Sequence, residues 1–109
     1  MLVSKPIASI VGVGCTKFGN VLSTPELKGK TFHELIAEAA FEAMDDAGMD
    51  GRDIDAFYVG SMLSHTSHVY SHHTQLCDWL GMNNKPSLHF ATACSTMNTG
   101  MGLGSMAIS

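Results

Sequence analysis

The chain has 109 residues, of which 45% are hydrophobic and 15% are charged, a composition typical of a globular protein with a substantial core. Six Lys and Arg against ten Asp and Glu provide no basic stripe, so the charge pattern argues against nucleic acid as a partner. No apolar run approaches the roughly 18 residues of a membrane helix and no secretory signal pattern opens the chain, so we expect a cytoplasmic protein without membrane association.

The first predicted element is a strand over residues 7–13, an almost continuous apolar run rich in β-branched residues. The run closes with Gly12 and Gly14, a spacing that also occurs in dinucleotide-binding fingerprints. The next glycine, Gly19, comes too late in the chain and no helix is predicted to begin there, so we reject that interpretation. Residues 15–30 are predicted to form a surface loop.

A helix is predicted between Thr31 and Gly48. Thr31 and Glu34 form a capping-box pattern, and Gly48 suits the left-handed conformation that commonly closes a helix. A row of acidic residues is interpreted as a solvated face, in preference to an acid/base site. The opposite, apolar face comprises Phe32, Leu35, Ile36, Ala39, Ala40, Ala43, Met44 and Ala47.

Two further strands and a helix are predicted in the middle of the chain. Residues 56–60 read as a short strand with aromatic and β-branched residues, and the strand, helix, strand order implies a right-handed parallel crossover. Residues 61–74 are rich in Ser, Thr and His, and their later part is predicted to merge into a helix that runs to Leu80 and ends at Gly81. A third strand is predicted over residues 87–91.

The third strand leads to Cys94, after which small residues and methionines without proline predict a helix from about Ser95. On a turn between a strand and a helix, free backbone N–H groups and the positive end of the helix dipole favour an anion. A thiol placed there is favoured as a thiolate, the nucleophilic form. Cys94 is therefore the predicted catalytic residue.

The other two cysteines, Cys15 and Cys77, are interpreted as small buried hydrophobes. Three cysteines at these spacings form neither a disulfide framework nor a Cys-x-x-Cys metal pair. A second candidate site consists of four closely spaced histidines. Together with Cys77, they make a zinc site chemically feasible. We favour loop or interface histidines and predict no metal site. The four histidines are His65, His68, His72 and His73.

The last predicted helix contains Gly100, Gly102 and Gly104, each of which costs about 1 kcal/mol of helix stability relative to alanine. Close approach of another backbone would explain three such residues. The alternative is that part of this segment is not regular helix.

The segment Ala93-Cys94-Ser95-Thr96 and the small-residue helix behind it resemble the nucleophile segment of the thiolase superfamily, most closely the sterol-carrier-protein type and its acetyl-CoA acetyltransferase-like relatives. Residues 11–19, 35–48 and 55–61 show the resemblance in the same order. It implies an α/β protein with a thiolase-like α-β-α-β-α layered sandwich. Residues 1–109 would form a partial N-terminal domain with the order β-α-β-α-β-α, and its last helix would lie between two sheets.

The same resemblance implies an acyl-CoA C-acyltransferase that cleaves or forms 3-oxoacyl-CoA through a thioester on Cys94, with coenzyme A as substrate and no bound cofactor. It also implies a homodimer or other homo-oligomer, a role in lipid metabolism, and a zinc-ribbon and OB-fold protein as a partner. In the family the groups that activate the thiol belong to later motifs, so we expect the chain alone to be inactive and to expose an unfinished sheet. Alternatives are a ketoacyl-synthase-like condensing enzyme and a non-catalytic subunit that uses its His-rich segment to bind a metal or a partner.

Overall fold

A computed structural model of the chain describes residues 8–62, 72–82 and 84–108. The predicted helices and the two later strands are confirmed, within a residue or two at each end. The helices are α1 (Phe32–Ala47), α2 (His72–Trp79) and α3 (Thr96–Ile108), the strands are β1 (Phe57–Gly60) and β2 (Ser87–Phe90), and short 3-10 turns cover Gly51–Asp53 and Ala93–Ser95.

The two strands form a parallel pair whose register runs from Phe57 opposite Ser87 to Gly60 opposite Phe90. Parallel neighbours require a crossover connection, and α2, which lies between the strands in sequence, packs against both of them. Because the strands are parallel, their carboxyl ends share one edge of the sheet. At this edge the Ser61 N–H donates to the carbonyl oxygen of Phe90 at 3.0 Å, and the chain continues from β2 towards Cys94.

The ends of α1 follow the predicted capping pattern. The Glu34 N–H donates to the Thr31 hydroxyl at 3.2 Å, and the Thr31 N–H donates to the Glu34 carboxylate at 2.7 Å. Gly48 adopts a left-handed conformation with φ of 68°, and its N–H donates to Asp45 O at 3.1 Å. Such signals are readable from sequence because a cap depends on residues that are only a few positions apart.

The core of the described residues is small and lies where α1 meets α2. Leu76 of α2 is fully buried, and Cys77 is buried beside it, as predicted. On α1 the buried side chains are Ala37 and Met44, although the predicted apolar face did not include Ala37. The position of α2 therefore decides which side chains of α1 are buried, and the spacing of apolar residues along α1 does not predict them all. The buried cluster comprises Ala37, Met44, Cys77, Leu80 and Met82.

The predicted first strand is wrong in its described part, because residues 8–13 form no paired strand. Instead, this segment runs along α1, where a Cβ atom added at Gly12 would overlap the carbonyl oxygen of Ala43. The Val13 N–H donates to the Asp46 carboxylate at 3.0 Å. Ile10 is 72% exposed, so the apolar side chains that predicted a buried strand have no second layer against them in the described residues.

The third helix, α3, packs on β1 and has no buried residue among those described. Met97 is 74% exposed, so the burial between two sheets that the resemblance implies is not seen within the described ranges. A Cβ atom at Gly100 would lie 2.8 Å from Cζ of Phe90, whereas Gly102 and Gly104 have no described atom within 4 Å of such a position. The helix is regular throughout, and the close neighbour at Gly100 is an aromatic ring, not the predicted backbone.

No helix in the described part of the chain is both long enough and apolar enough to cross a membrane.

Candidate active-site turn

Cys94 lies where the sequence places it, on the turn that joins β2 to α3. The chain leaves the sheet after Phe90, forms a single 3-10 turn over Ala93–Ser95 and enters α3 at Thr96. The side chain of Cys94 is exposed. A thiol at this position is accessible to a substrate, and the chain enters α3 two residues later.

The turn contains a strained residue, because Ala93 adopts φ of 51°. An alanine in the left-handed region costs about 1–3 kcal/mol, and such residues persist only where their surroundings hold them. This left-handed conformation of Ala93 turns the chain sharply between β2 and α3. As a result, the residue that follows Ala93 is presented at the edge of the sheet.

Side-chain hydroxyl groups hold this turn. The Thr96 hydroxyl accepts from the Thr92 N–H at 3.1 Å and donates to the carbonyl oxygen of Ala93 at 2.7 Å. The Ser95 hydroxyl donates to the carbonyl oxygen of Thr92 at 2.8 Å, and the Thr92 and Thr99 hydroxyl oxygens are 2.8 Å apart. At about 0.5–1.5 kcal/mol for each hydrogen bond, the bonds of Thr96 alone are comparable with the strain at Ala93.

The first turns of α3, which follow Cys94, pack against β1 and the end of β2. A Cβ atom at Gly60 would overlap the γ-methyl group of Thr96, and the Phe90 ring occupies the same space from the neighbouring strand. Gly60 and Gly100 therefore let α3 approach the ends of both strands. Beside this contact lies an open, mostly apolar cavity of about 500 Å³. Its lining comprises Tyr58, Gly60, Phe90, Thr96, Met97, Gly100 and Met101.

His89 is the titratable residue of β2, and it precedes Cys94 by five positions. Its Nε2 lies 3.1 Å from the carbonyl oxygen of Ser61. When Nε2–H donates to that carbonyl, the same atom cannot accept the proton of a thiol. The hydrogen bond instead ties β2 to the residue that follows β1, so we assign His89 no activating role through Nε2.

The four histidines of the competing zinc hypothesis are only partly described. His65 and His68 lie outside the described residues, and the side chain of His72 also lies outside them. The ring of His73 stacks on that of His89 with centroids 6.3 Å apart and an angle of 7° between the planes. Within the described ranges, no three His, Cys, Asp or Glu side chains are placed to hold a metal ion. The zinc hypothesis therefore remains untested.

The prediction that Cys15 is buried is wrong, because its side chain is exposed and its thiol donates to the carbonyl oxygen of Thr16 at 3.2 Å. The segment that carries Cys15 contacts α1 through glycine backbone, which leaves its larger side chains uncovered. Cys15 and Cys94 are therefore two exposed thiols in different surroundings, one on an extended segment and one at a helix N-terminus.

Comparison with known proteins shows sequence similarity over most of the chain, although no protein-family model matches it. The chain is 35% identical over 101 residues to an acetyl-CoA acetyltransferase of Methanothermobacter thermautotrophicus, a region that covers 92% of the chain and 25% of that protein. It is 38% identical over 89 residues to an acetyl-CoA acetyltransferase of Methanocaldococcus jannaschii, covering 81% of the chain and 21% of that protein. The chain thus spans about a quarter of the length of these relatives.

The chain is also similar to a further curated protein and to a solved structure. Non-specific lipid-transfer protein-like 2 of Caenorhabditis elegans is 32% identical over 112 residues, which cover 99% of the chain and 24% of that protein. The crystal structure of 3-oxoacyl-[acyl-carrier-protein] synthase III from Aquifex aeolicus matches 71% of the chain with a TM-score of 0.63 at 18% identity, and the match covers 25% of that structure. At this identity, the structural match is evidence for the fold alone.

Proposed function

With the resemblance to the thiolase superfamily in sequence and fold as the premise, we propose that this chain carries the nucleophile of a thiolase-type acyltransferase. Cys94 is the residue that accepts the acyl group. The observation that supports this assignment is the exposed thiol on the β2–α3 turn, directly after the strained Ala93, within a stretch that resembles the thiolase nucleophile segment.

The reaction that suits this nucleophile is thiolytic cleavage of a 3-oxoacyl-CoA. The Cys94 thiolate attacks the C3 carbonyl, the C2–C3 bond breaks, and C2 takes up a proton to release acetyl-CoA. The shortened acyl group remains on Sγ as a thioester. The thiol of a second coenzyme A then attacks that thioester, releases the acyl-CoA product and restores the Cys94 thiolate. In the condensing direction the same steps run in reverse.

The described residues contribute the nucleophile and the turn that presents it. We assign no general base among them, and the acidic groups of α1 are solvated and belong to a different part of the fold. The first step requires the thiolate form of Cys94.

The proposal is tested by acyl-enzyme formation in the intact protein. Mixed with acetyl-CoA and quenched in acid, the wild-type protein should gain the mass of one acetyl group, and peptide mapping should locate it on Cys94. Cys94→Ala should abolish the adduct, whereas Cys15→Ala, which removes the other exposed thiol, should leave it unchanged. Acetylation of Cys94→Ala to the wild-type extent would show that the nucleophile lies elsewhere.

A second candidate is a ketoacyl-synthase-like condensing enzyme, which is favoured by the structural match to 3-oxoacyl-[acyl-carrier-protein] synthase III. Both candidates use a cysteine thioester and differ in the carrier of the acyl or malonyl group. The same labelling experiment separates them when an acyl carrier protein thioester replaces acetyl-CoA. Faster acylation from the carrier protein, together with decarboxylation of a malonyl thioester, would favour the synthase.

A homodimer, a zinc-ribbon and OB-fold partner, a cytoplasmic location and a role in lipid metabolism remain proposals that rest on the resemblance. The non-catalytic alternative is tested by metal analysis. Stoichiometric zinc that is lost in His68→Ala or His72→Ala would favour it over the acyltransferase.

A further inference from the structure

Thr96 joins the two sides of the Cys94 turn. Its hydroxyl accepts from the Thr92 N–H at 3.1 Å, two residues before Cys94, and donates to the carbonyl oxygen of Ala93 at 2.7 Å. We propose that Thr96 is a positioning residue that holds Cys94 in its reactive orientation. The proposal rests on the function proposed for Cys94.

The strain at Ala93 makes such a clamp necessary. With φ of 51°, Ala93 is held in a strained conformation by two bonds to its carbonyl oxygen, one from the Thr96 N–H and one from the Thr96 hydroxyl. Loss of the hydroxyl would leave the N–H bond alone to oppose relaxation of Ala93 and rotation of the peptide that carries Cys94. Relaxation would change the position of the exposed Cys94 thiol ahead of α3. The hydroxyl of Thr96 opposes this rotation because it binds the carbonyl of the strained residue itself.

Thr96 can act as a clamp because its own position is set by the sheet. Its γ-methyl group fills the space where Gly60, at the end of β1, lacks a side chain. One turn further along α3, the Phe90 ring fills the corresponding space at Gly100. The threonine is therefore anchored to β1 by its methyl group and to the turn by its hydroxyl.

Neighbouring hydroxyl groups support the turn without duplicating this link. The Ser95 hydroxyl donates to the carbonyl oxygen of Thr92, not to that of Ala93. The Thr99 hydroxyl oxygen lies 2.8 Å from the Thr92 hydroxyl oxygen. Within the described residues, it therefore bonds to the turn only through the side chain of Thr92. Thr96 alone among these three bonds both the Thr92 amide and the Ala93 carbonyl, as far as the described hydrogen bonds extend.

The test is the rate at which iodoacetamide modifies Cys94 in the intact protein, measured by peptide mass spectrometry at pH 6.5. Thr96→Val keeps the shape and removes the hydroxyl, and we expect it to slow modification of Cys94 relative to Cys15 by about tenfold at pH 6.5. Because Cys15 lies outside the turn, its rate in the same sample separates an effect on Cys94 from a general change in the protein. Thr96→Ser restores the hydroxyl and should stay within about twofold of the wild-type rate.

Ser105→Ala is the matched control, because its hydroxyl bonds the Met101 carbonyl at 2.9 Å within the same helix, away from the turn. This variant should leave the Cys94 rate unchanged. If Thr96→Val fails to fold, Thr96→Ala removes the same hydroxyl and takes its place, with the same expected slowing of Cys94 relative to Cys15 at pH 6.5.

A Thr96→Val protein that is less stable but keeps the wild-type ratio of the Cys94 and Cys15 rates would reduce Thr96 to a structural residue and overturn the proposal. Equal slowing in Thr96→Ser and Thr96→Val would also overturn it, because Thr96→Ser keeps the hydroxyl to which the effect is assigned. Either outcome counts equally when Thr96→Ala stands in for Thr96→Val. Failure of the proposed function is distinguishable, since Cys94 would then show the expected alkylation pattern but acquire no acyl group from acetyl-CoA.

Discussion

Ala93 and Cys94 show how a single backbone angle controls the presentation of a side chain. The left-handed Ala93 ends the extended path from β2 and directs the next residue into the first turn before α3. Without that bend, the chain would continue along the line of β2 and would not enter α3 two residues after Cys94. The chemistry that we propose for the thiol therefore depends on a neighbour that takes no part in it.

The pair formed by Asp50 and Arg52 shows the electrostatics of a solvated turn. The Arg52 guanidinium donates to the Asp50 carboxylate at 2.7 Å, and the Arg52 N–H donates to it at 2.8 Å. These hydrogen bonds, that of the side chain first, hold the pKa of Asp50 below its usual value of 3.8.

We expect the Asp50 carboxyl to titrate below pH 3.8 in the folded protein, as measured by NMR of the side-chain carboxyl carbon. Since the folded pKa is lower than the unfolded one, the stabilisation is present above the unfolded value and is lost as the pH falls through the folded value. Arg52→Gln should move the titration back towards 3.8. A midpoint in Arg52→Gln as low as that of the wild type would exclude Arg52 as the cause.

The elements differ in how far local sequence determines them. The capping box of α1 and the left-handed Gly81 after α2 depend on neighbouring residues, and both were readable from the sequence. The strand predicted over residues 7–13 was not, because a strand forms only when another strand supplies its hydrogen bonds. Cys15, which was expected to be a small buried hydrophobe, is exposed on the segment that follows. Ala37 was missed because the position of α2 decides which stripe of α1 is covered.

The glycines of α3 give a test of its contact with the sheet. Gly100→Ala should lower the free energy of unfolding, because the added methyl group meets the Phe90 ring at 2.8 Å. Gly102→Ala, with no described atom within 4 Å, should raise it by about 1 kcal/mol through helix propensity. Chemical denaturation of the two variants against the wild type measures both effects. Equal stabilisation by both substitutions would show that α3 does not rest on Phe90.

At the scale of the whole molecule, the described residues share the fold of a solved condensing-enzyme structure but leave many apolar side chains exposed. The resemblance predicted from the nucleophile segment is confirmed in sequence by the acetyl-CoA acetyltransferase relatives, and the structural match is evidence for the fold alone. Most of the apolar side chains of α3 and of the segment before α1 remain exposed within the described residues. The location of the thiol was predictable because a strand, a turn and a helix are adjacent in sequence. Groups brought together from distant parts of a chain leave no comparable local pattern.

The central claim is that the setting of Cys94 makes it the nucleophile, and a comparison with Cys15 tests it most directly. Both thiols are exposed, so accessibility alone would make iodoacetamide modify them at similar rates. At pH 6.5 in the folded, intact protein we expect Cys94 to react at least about tenfold faster than Cys15, because Cys94 alone lies on the strained turn that leads into a helix N-terminus. Buried Cys77 should react last. Equal rates at Cys94 and Cys15 would contradict the account.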